Sequence, residues 1–368
     1  MTAAAIALYT LANIILLEKY TLRLGALAAL AAPVAYLAAL VLAYALVRQR
    51  ADRLRSLLSG RTLAALTAAL CAALAALQLS IDPYEVNVDR WSAIDGFLSN
   101  MLSGVSPYAA ATHLDGRGSP FPAWQLFHLP FYALGDVGLS FMAGLALFAH
   151  STFKLLGAPR ATLALLMVAL SPSFVYEVAV RSDLFTNFLV VCSAVIYMRV
   201  YGVDLERRMA LTALVCALLV CTRVSAALPL LMLLFPQYVR QGAARMTLFP
   251  LLILAGCAAV FAPFVLWDCA SLADTEVGPV ALQMNKTSPT TDLAILALAI
   301  WQSLRWQDST ADYMTRTGAV LFGAVGLSFL AWTLTYDVWD FYASDYDITY
   351  FHQSLPFLVL GVLCGWRR

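Results

Sequence analysis

Acid and base side chains are sparse in this chain, and several of them gather. The densest group is Asp82-Pro83-Tyr84-Glu85-Val86-Asn87-Val88-Asp89-Arg90-Trp91-Ser92-Ala93-Ile94-Asp95. A carboxylate half removed from water has its pKa raised toward that of a useful general base, so this group could take a proton from a hydroxyl. Asp89 and Asp95 are six residues apart, whereas neighbours on a helix face are three or four apart. They therefore read as separate groups and not as a tight acid–base pair; a solvated loop with ordinary acids is the competing reading. Gly104-Val105-Ser106-Pro107-Tyr108 follows as a turn with an aromatic behind it.

A second group is Glu177-Val178-Ala179-Val180-Arg181-Ser182-Asp183, continuing to Asn187. Glu177 and Arg181 are four apart and could pair on a helix as a purely structural ion pair. The third feature is Arg223, alone in Cys221-Thr222-Arg223-Val224-Ser225. An arginine in apolar sequence is costly unless it faces a cavity, a partner or headgroups, so it reads as a snorkelling anchor, half of an ion pair, or an anion site. The fourth is Tyr350-Phe351-His352-Gln353, where a lone histidine also reads as an amphipathic anchor. Arginine suits phosphate because its fork presents several donors.

Other motifs carry less. Asn285-Lys286-Thr287 is a formal glycosylation sequon, and His113, His128 and His150 share no metal-ligand spacing. Asp337, Asp340, Asp345 and Asp347 read as a solvated acidic loop, with cation binding as the alternative. Seven cysteines show no disulfide or metal spacing, and six fall in apolar runs. There is no Gly-rich phosphate loop and no nucleophile elbow.

The elements that must position these residues follow from composition. Of 368 residues, 62% are hydrophobic and 12% charged, and mean hydropathy is +0.78. Soluble domains are roughly 45–50% apolar and about 25% charged, so an ordinary globular enzyme and a disordered chain are excluded. A net charge of +1 offers no field for a nucleic acid. What remains is an all-α, polytopic transmembrane bundle in one domain, 1–368. Apolar runs near 3–17, 24–47, 62–80, 138–156, 161–178, 184–200, 209–222, 225–239, 247–267, 292–305, 317–335 and 350–366 predict about twelve spans. The first is apolar without a basic leader and reads as a crossing, not a cleaved signal.

The basic residues predict sidedness. Arg48, Arg50, Arg53, Arg55 and Arg61, then Lys154 and Arg160, then Arg199, Arg207 and Arg208, then Arg240, Arg245, Arg367 and Arg368 belong on the cytoplasmic side. Parity then requires a hairpin between Arg208 and Arg240 with Arg223 at its outer turn, and both termini inside. The acids fall outside, with a long outer loop over 81–137. Its aromatic piece 121–134 is too short to span and reads as helix lying at the headgroup level.

The order of these motifs resembles the GT-C superfamily of polytopic membrane glycosyltransferases, which take sugars from polyprenyl-phosphate donors. Asp89 looks like that family's loop acid, Gly104 to Tyr108 like its Gly-x-x-Pro-Tyr turn, and Ser119-Pro120-Phe121-Pro122 like its Pro-rich helix start. Leu170-Ser171-Pro172 with Arg181-Ser182-Asp183, Cys221-Thr222-Arg223, and His352 to Pro356 resemble later motifs. The likeness covers about 80–240. The family's acid pair is here Asp89-Arg90, and residues 1–61 add two spans before the usual first one. The resemblance implies an inverting, mannosyltransferase-like enzyme of the non-cytoplasmic face, in a bacterial inner membrane or, in a eukaryote, the ER membrane. It would move sugar to a lipid-linked or envelope glycan acceptor among membrane lipids. Asp89 would be the base; Arg223, with Arg181 or His352, would hold the leaving phosphate; Arg90, Asp95, Tyr108 and Asp183 would shape the sugar sites. Some members also use a divalent cation, Mg or Mn. The alternatives are a lipid or solute transporter, against which no inverted repeat is visible, and an inactive subunit of a membrane complex.

Overall fold

The computed structural model describes residues 1–50, 52, 56–284, 287–305, 309–336 and 346–365. The chain is predominantly helical across them, its longer helices being α1 (Thr2–Thr21), α2 (Ala26–Gln49), α3 (Gly60–Leu79), α4 (Arg90–Leu102), α5 (Phe141–Leu156), α6 (Ala158–Ala169), α7 (Pro172–Ala179), α8 (Leu184–Tyr201), α9 (Met209–Val220), α10 (Ala227–Tyr238), α11 (Ala243–Trp267), α12 (Pro289–Ser303), α13 (Thr310–Tyr336) and α14 (Leu355–Gly365). Among the described residues no β-strand forms; one antiparallel bridge, Ala111 to Arg117, closes a loop.

The starts and stops are chemically legible. Ser59, Ser171 and Ser288 accept from backbone N–H groups three residues on and cap α3, α7 and α12. Gly202, left-handed at φ 59°, ends α8. Pro172 cannot continue the ladder of α6, and with the Ser171 cap it turns α7 by 59° from it.

Among the described residues, eight helical segments are long and apolar enough to cross a membrane, nine if the bent pair α6–α7 counts as one crossing. The protein therefore has the build of an integral multi-pass membrane protein. This differs from the twelve spans expected from the apolar runs. Each of the twelve runs contains helix over its described residues, but α9 and α10 have 12 residues each and α12 has 15. At 1.5 Å per residue, 12 residues reach roughly 18 Å of a hydrocarbon layer roughly 30 Å thick.

Burial ranks the helices. The segment containing α14 is 83% buried within the protein and that containing α8 is 67%, whereas α2 is 6% and α11 is 11%. So α8 and α14 form the centre, and α2 and α11 present leucines outward, as a lipid-facing helix does. Close backbone approach holds the centre: a Cβ added to Gly361 would lie 2.5 Å from Thr315 Oγ1, and one on Gly318 2.7 Å from Leu358.

The bundle has two unlike ends. At one, Arg245 meets the Glu206 carbonyl and Arg199 meets Thr310. At the other, residues 81–137 fold over the turns at 180–183, 221–225 and 268–284. The aromatic piece splits into two short helices, Pro122–Phe127 and Leu129–Ala133. Much of it is packed into protein rather than lying free: Phe121, Trp124, Gln125 and His128 are buried.

Candidate functional site

The polar end is held together by pairs that join distant parts of the chain. Arg223 follows the end of α9 in extended conformation (φ −156°). Its turn is fixed because Phe121 and Ala123 donate backbone hydrogen bonds to the carbonyls of Thr222 and Cys221. Gln283 ties the next residue in, accepting from Val224 N–H and donating to the Ser119 carbonyl. From this position Arg223 Nη2 donates to Asp183 Oδ2 at 2.6 Å, with both side chains 3% exposed. The Trp124 indole N–H donates to the same oxygen at 2.6 Å. Arg223 Nε and Asp183 Oδ1 are buried without a hydrogen-bond partner among the described residues. Burial pushes the Asp183 carboxyl up, but Arg223 first and then Arg90 outweigh it and hold it below the usual range. His128, on the far side of Trp124, is driven down to about 4 by burial.

Arg90 heads α4 and bridges outward. It donates to Ser182 Oγ at 2.8 Å, pairs with Asp347, and lies 5.3 Å from the Tyr350 ring centroid. Asp347 thus pairs with Arg90, its side chain still 38% exposed; Asp337, Asp340, Asp345 and the sequon residues Asn285 and Lys286 lie outside the described residues.

Arg181 does not pair with Glu177. The helix ends at Ala179, and Arg181 sits at φ +53°, so the four-residue spacing no longer places the two on one face. Arg181 instead donates to Asp136 at 2.9 Å and to the Ile81 carbonyl at 3.0 Å, and Gln78 also donates to Asp136. A left-handed arginine persists where its surroundings fix it. Gly138 is part of that fixing, because a Cβ there would lie 2.7 Å from Arg181 Cγ. Asp95 is half-buried nearby, and burial together with the Asp136 charge raises its carboxyl. Glu177 turns to His352, its Oε1 accepting from Nδ1 at 2.8 Å, while its other oxygen accepts from Phe185 N–H. Both side chains are 1% exposed.

Asp89 precedes α4 and accepts from the Thr112 hydroxyl at 2.9 Å. That loop is braced by His113, which bonds Ser92 and packs against Tyr84 and Trp91, themselves edge to face with each other. Tyr108 is buried, donating to the Pro120 carbonyl.

Beside Arg223 opens a cavity of about 260 Å³, lined by Arg223, Thr287, Asp292, Gln353 and Tyr350 and walled by Leu228, Ile295, Leu296 and Leu321. Of the eight residues singled out from sequence, Arg223 lines it. Asp183 backs Arg223, Arg90 reaches the same edge through Tyr350, and Arg181, His352 and Tyr108 are committed to buried contacts elsewhere. Asp136 and Asp292 were not anticipated, and Trp124 and Asp347 were noted only as part of an aromatic piece and an acidic loop; Asp292, an acid opening an apolar run, carried a local signal. Among the described residues no group of three His, Cys, Asp or Glu could hold a metal ion. No protein-family model, curated protein or solved structure matches the chain.

Proposed function

We propose that the protein is a GT-C-like glycosyltransferase that takes a sugar from a polyprenyl phosphate at the non-cytoplasmic face and passes it, with inversion, to a glycan or lipid-linked acceptor. The observation that carries this reading is Arg223: a buried guanidinium, oriented from behind by Asp183, at the edge of a cavity whose walls are aliphatic. Aliphatic walls suit a prenyl chain, and a fixed cation at their polar end suits its phosphate.

In the reaction, Asp89 takes the acceptor hydroxyl proton as that oxygen attacks the anomeric carbon. The bond from that carbon to the phosphate oxygen breaks on the opposite face, and the phosphate leaves with the electron pair. Charge grows on it as it leaves, so a preoriented arginine binds the transition state better than the ground state. Arg181 is clamped by Asp136 and His352 by Glu177, so in this reading both position the loop and the last helix rather than touch phosphate.

The count of twelve crossings belongs to the same reading. It is supported by the short helices reaching between the two ends: α10 follows the Val224 turn and reaches Gln237, which bonds Leu205, and α12 begins just after Thr287 at the cavity and reaches Gln302, which meets Arg316. Donor use in lipid nanodiscs tests the assignment. Arg223→Lys should retain part of the transfer rate and Arg223→Gln should lose it; equal rates for wild type and Arg223→Gln would remove the arginine from the site.

A further inference from the structure

Asp292 stands in the first turn of α12 and lines the cavity that Arg223 lines. Its carboxylate makes no hydrogen bond or ion pair with another described residue. A first-turn acid is favoured by the helix N-terminus, which accounts for an aspartate being tolerated there. It does not say what the half-buried acid meets in the cavity, whose lining mixes aliphatic side chains with Arg223 and neutral polar groups, Thr287 and Gln353 among them.

The lining divides the cavity by chemistry. Arg223 accounts for an anion, and the aliphatic walls account for a chain. A carboxylate can contact neither without cost: it repels the anion and gains nothing from the chain. What it takes is a group rich in hydrogen-bond donors, because an ionised carboxylate is acceptor-only, with room for two hydroxyls at once. Thr287 and Gln353, on the same lining, can both donate and accept. A ligand with an anion at one point, a chain at another and hydroxyls at a third is a glycosylated lipid phosphate.

We propose that Asp292 is a specificity-determining residue for the donor, accepting hydrogen bonds from sugar hydroxyls and selecting the sugar by their configuration. This rests on the donor-binding reading above. A site built to hold a hydroxyl discriminates strongly against a ligand lacking it, since its own polar group is then left unpaired.

The test uses full-length protein in nanodiscs and two sets of probes: farnesyl phosphate alone, and farnesyl-phosphate mannose, glucose and galactose. Wild type should bind farnesyl phosphate and prefer one of the three sugars. Asp292→Asn should bind farnesyl phosphate within about threefold of wild type and lose about tenfold to hundredfold in affinity for the preferred sugar donor, the range of a hydrogen bond to a charged group. Its preference among the sugars should flatten. Arg223→Gln should weaken every probe. An Asp292→Asn protein with unchanged affinity and preference overturns the proposal, as does one weakened equally toward the bare phosphate. Wild type binding none of the probes would defeat the donor reading itself, a result separable from the other two.

Discussion

Replacing Asp183 by Asn removes the charge that faces Arg223 while keeping the side chain's size. The magnitude follows from the geometry. With N···O at 2.6 Å and an effective dielectric constant near 20, the pair attracts by roughly 6 kcal/mol. Desolvation of two groups, each 3% exposed, offsets much of this, so the net worth of the intact pair is small. Removing one partner is different, because Arg223 stays buried without its counter-charge; that costs about 3–5 kcal/mol. Asp183→Asn should therefore unfold at clearly lower temperature, and Asp183→Asn/Arg223→Gln should recover part of the loss. Thermal unfolding of the four proteins in one detergent forms the cycle. The pair also has a pH signature. The Asp183 carboxyl is held below the usual range, so its contribution is present above the ordinary aspartate pKa and is lost as pH falls through the lower folded value. Wild type should lose stability in acid more steeply than the double variant. Strictly additive losses, with no difference in acid, would refute the account of a buried, mutually dependent pair.

Asp89→Asn should fold normally, since asparagine can still accept from Thr112, and should lose about 10²–10⁴-fold in transfer rate. Gly361→Ala should destabilise by about 1–3 kcal/mol because its Cβ meets Thr315, whereas Gly326→Ala, with open space around it, should be neutral by the same unfolding measurement. Glu177→Ala strands His352 Nδ1 and the Phe185 N–H and should cost about 1–3 kcal/mol, with Glu177→Gln milder. Single cysteines placed in 81–137 should react with an impermeant maleimide from the non-cytoplasmic side and those in 56–61 from the cytoplasmic side; the reverse would invert the topology.

Hydropathy located the long apolar helices, because a spanning helix announces itself by an unbroken apolar run, but not α4, which lies in the segment read as an outer loop. Ser171-Pro172 and the Cys221 turn interrupt the helices within or at the end of such runs, which apolar content does not register. The polar residues were legible as candidates but not as partners. Glu177 and Arg181 have helical spacing, yet the helix ends two residues before Arg181 and each finds a partner far away in sequence. Asp183 and Arg223 are forty residues apart, and no local pattern links them. Asp347 looked like one of four solvated acids until the fold brought Arg90 to it. Pairing across a bundle depends on how helices are arranged, which local periodicity does not encode.

The proposed activity breaks the bond between a sugar and a polyprenyl phosphate. The most direct measurement is the release of polyprenyl phosphate from a radiolabelled polyprenyl-phosphate hexose by purified protein in nanodiscs supplied with membrane-derived acceptor. The account predicts release by wild type, linked to labelled acceptor of inverted anomeric configuration, and a loss of about 10²–10⁴-fold in Asp89→Asn. Donor that binds but is never consumed by wild type, or is consumed equally by Asp89→Asn, would contradict it.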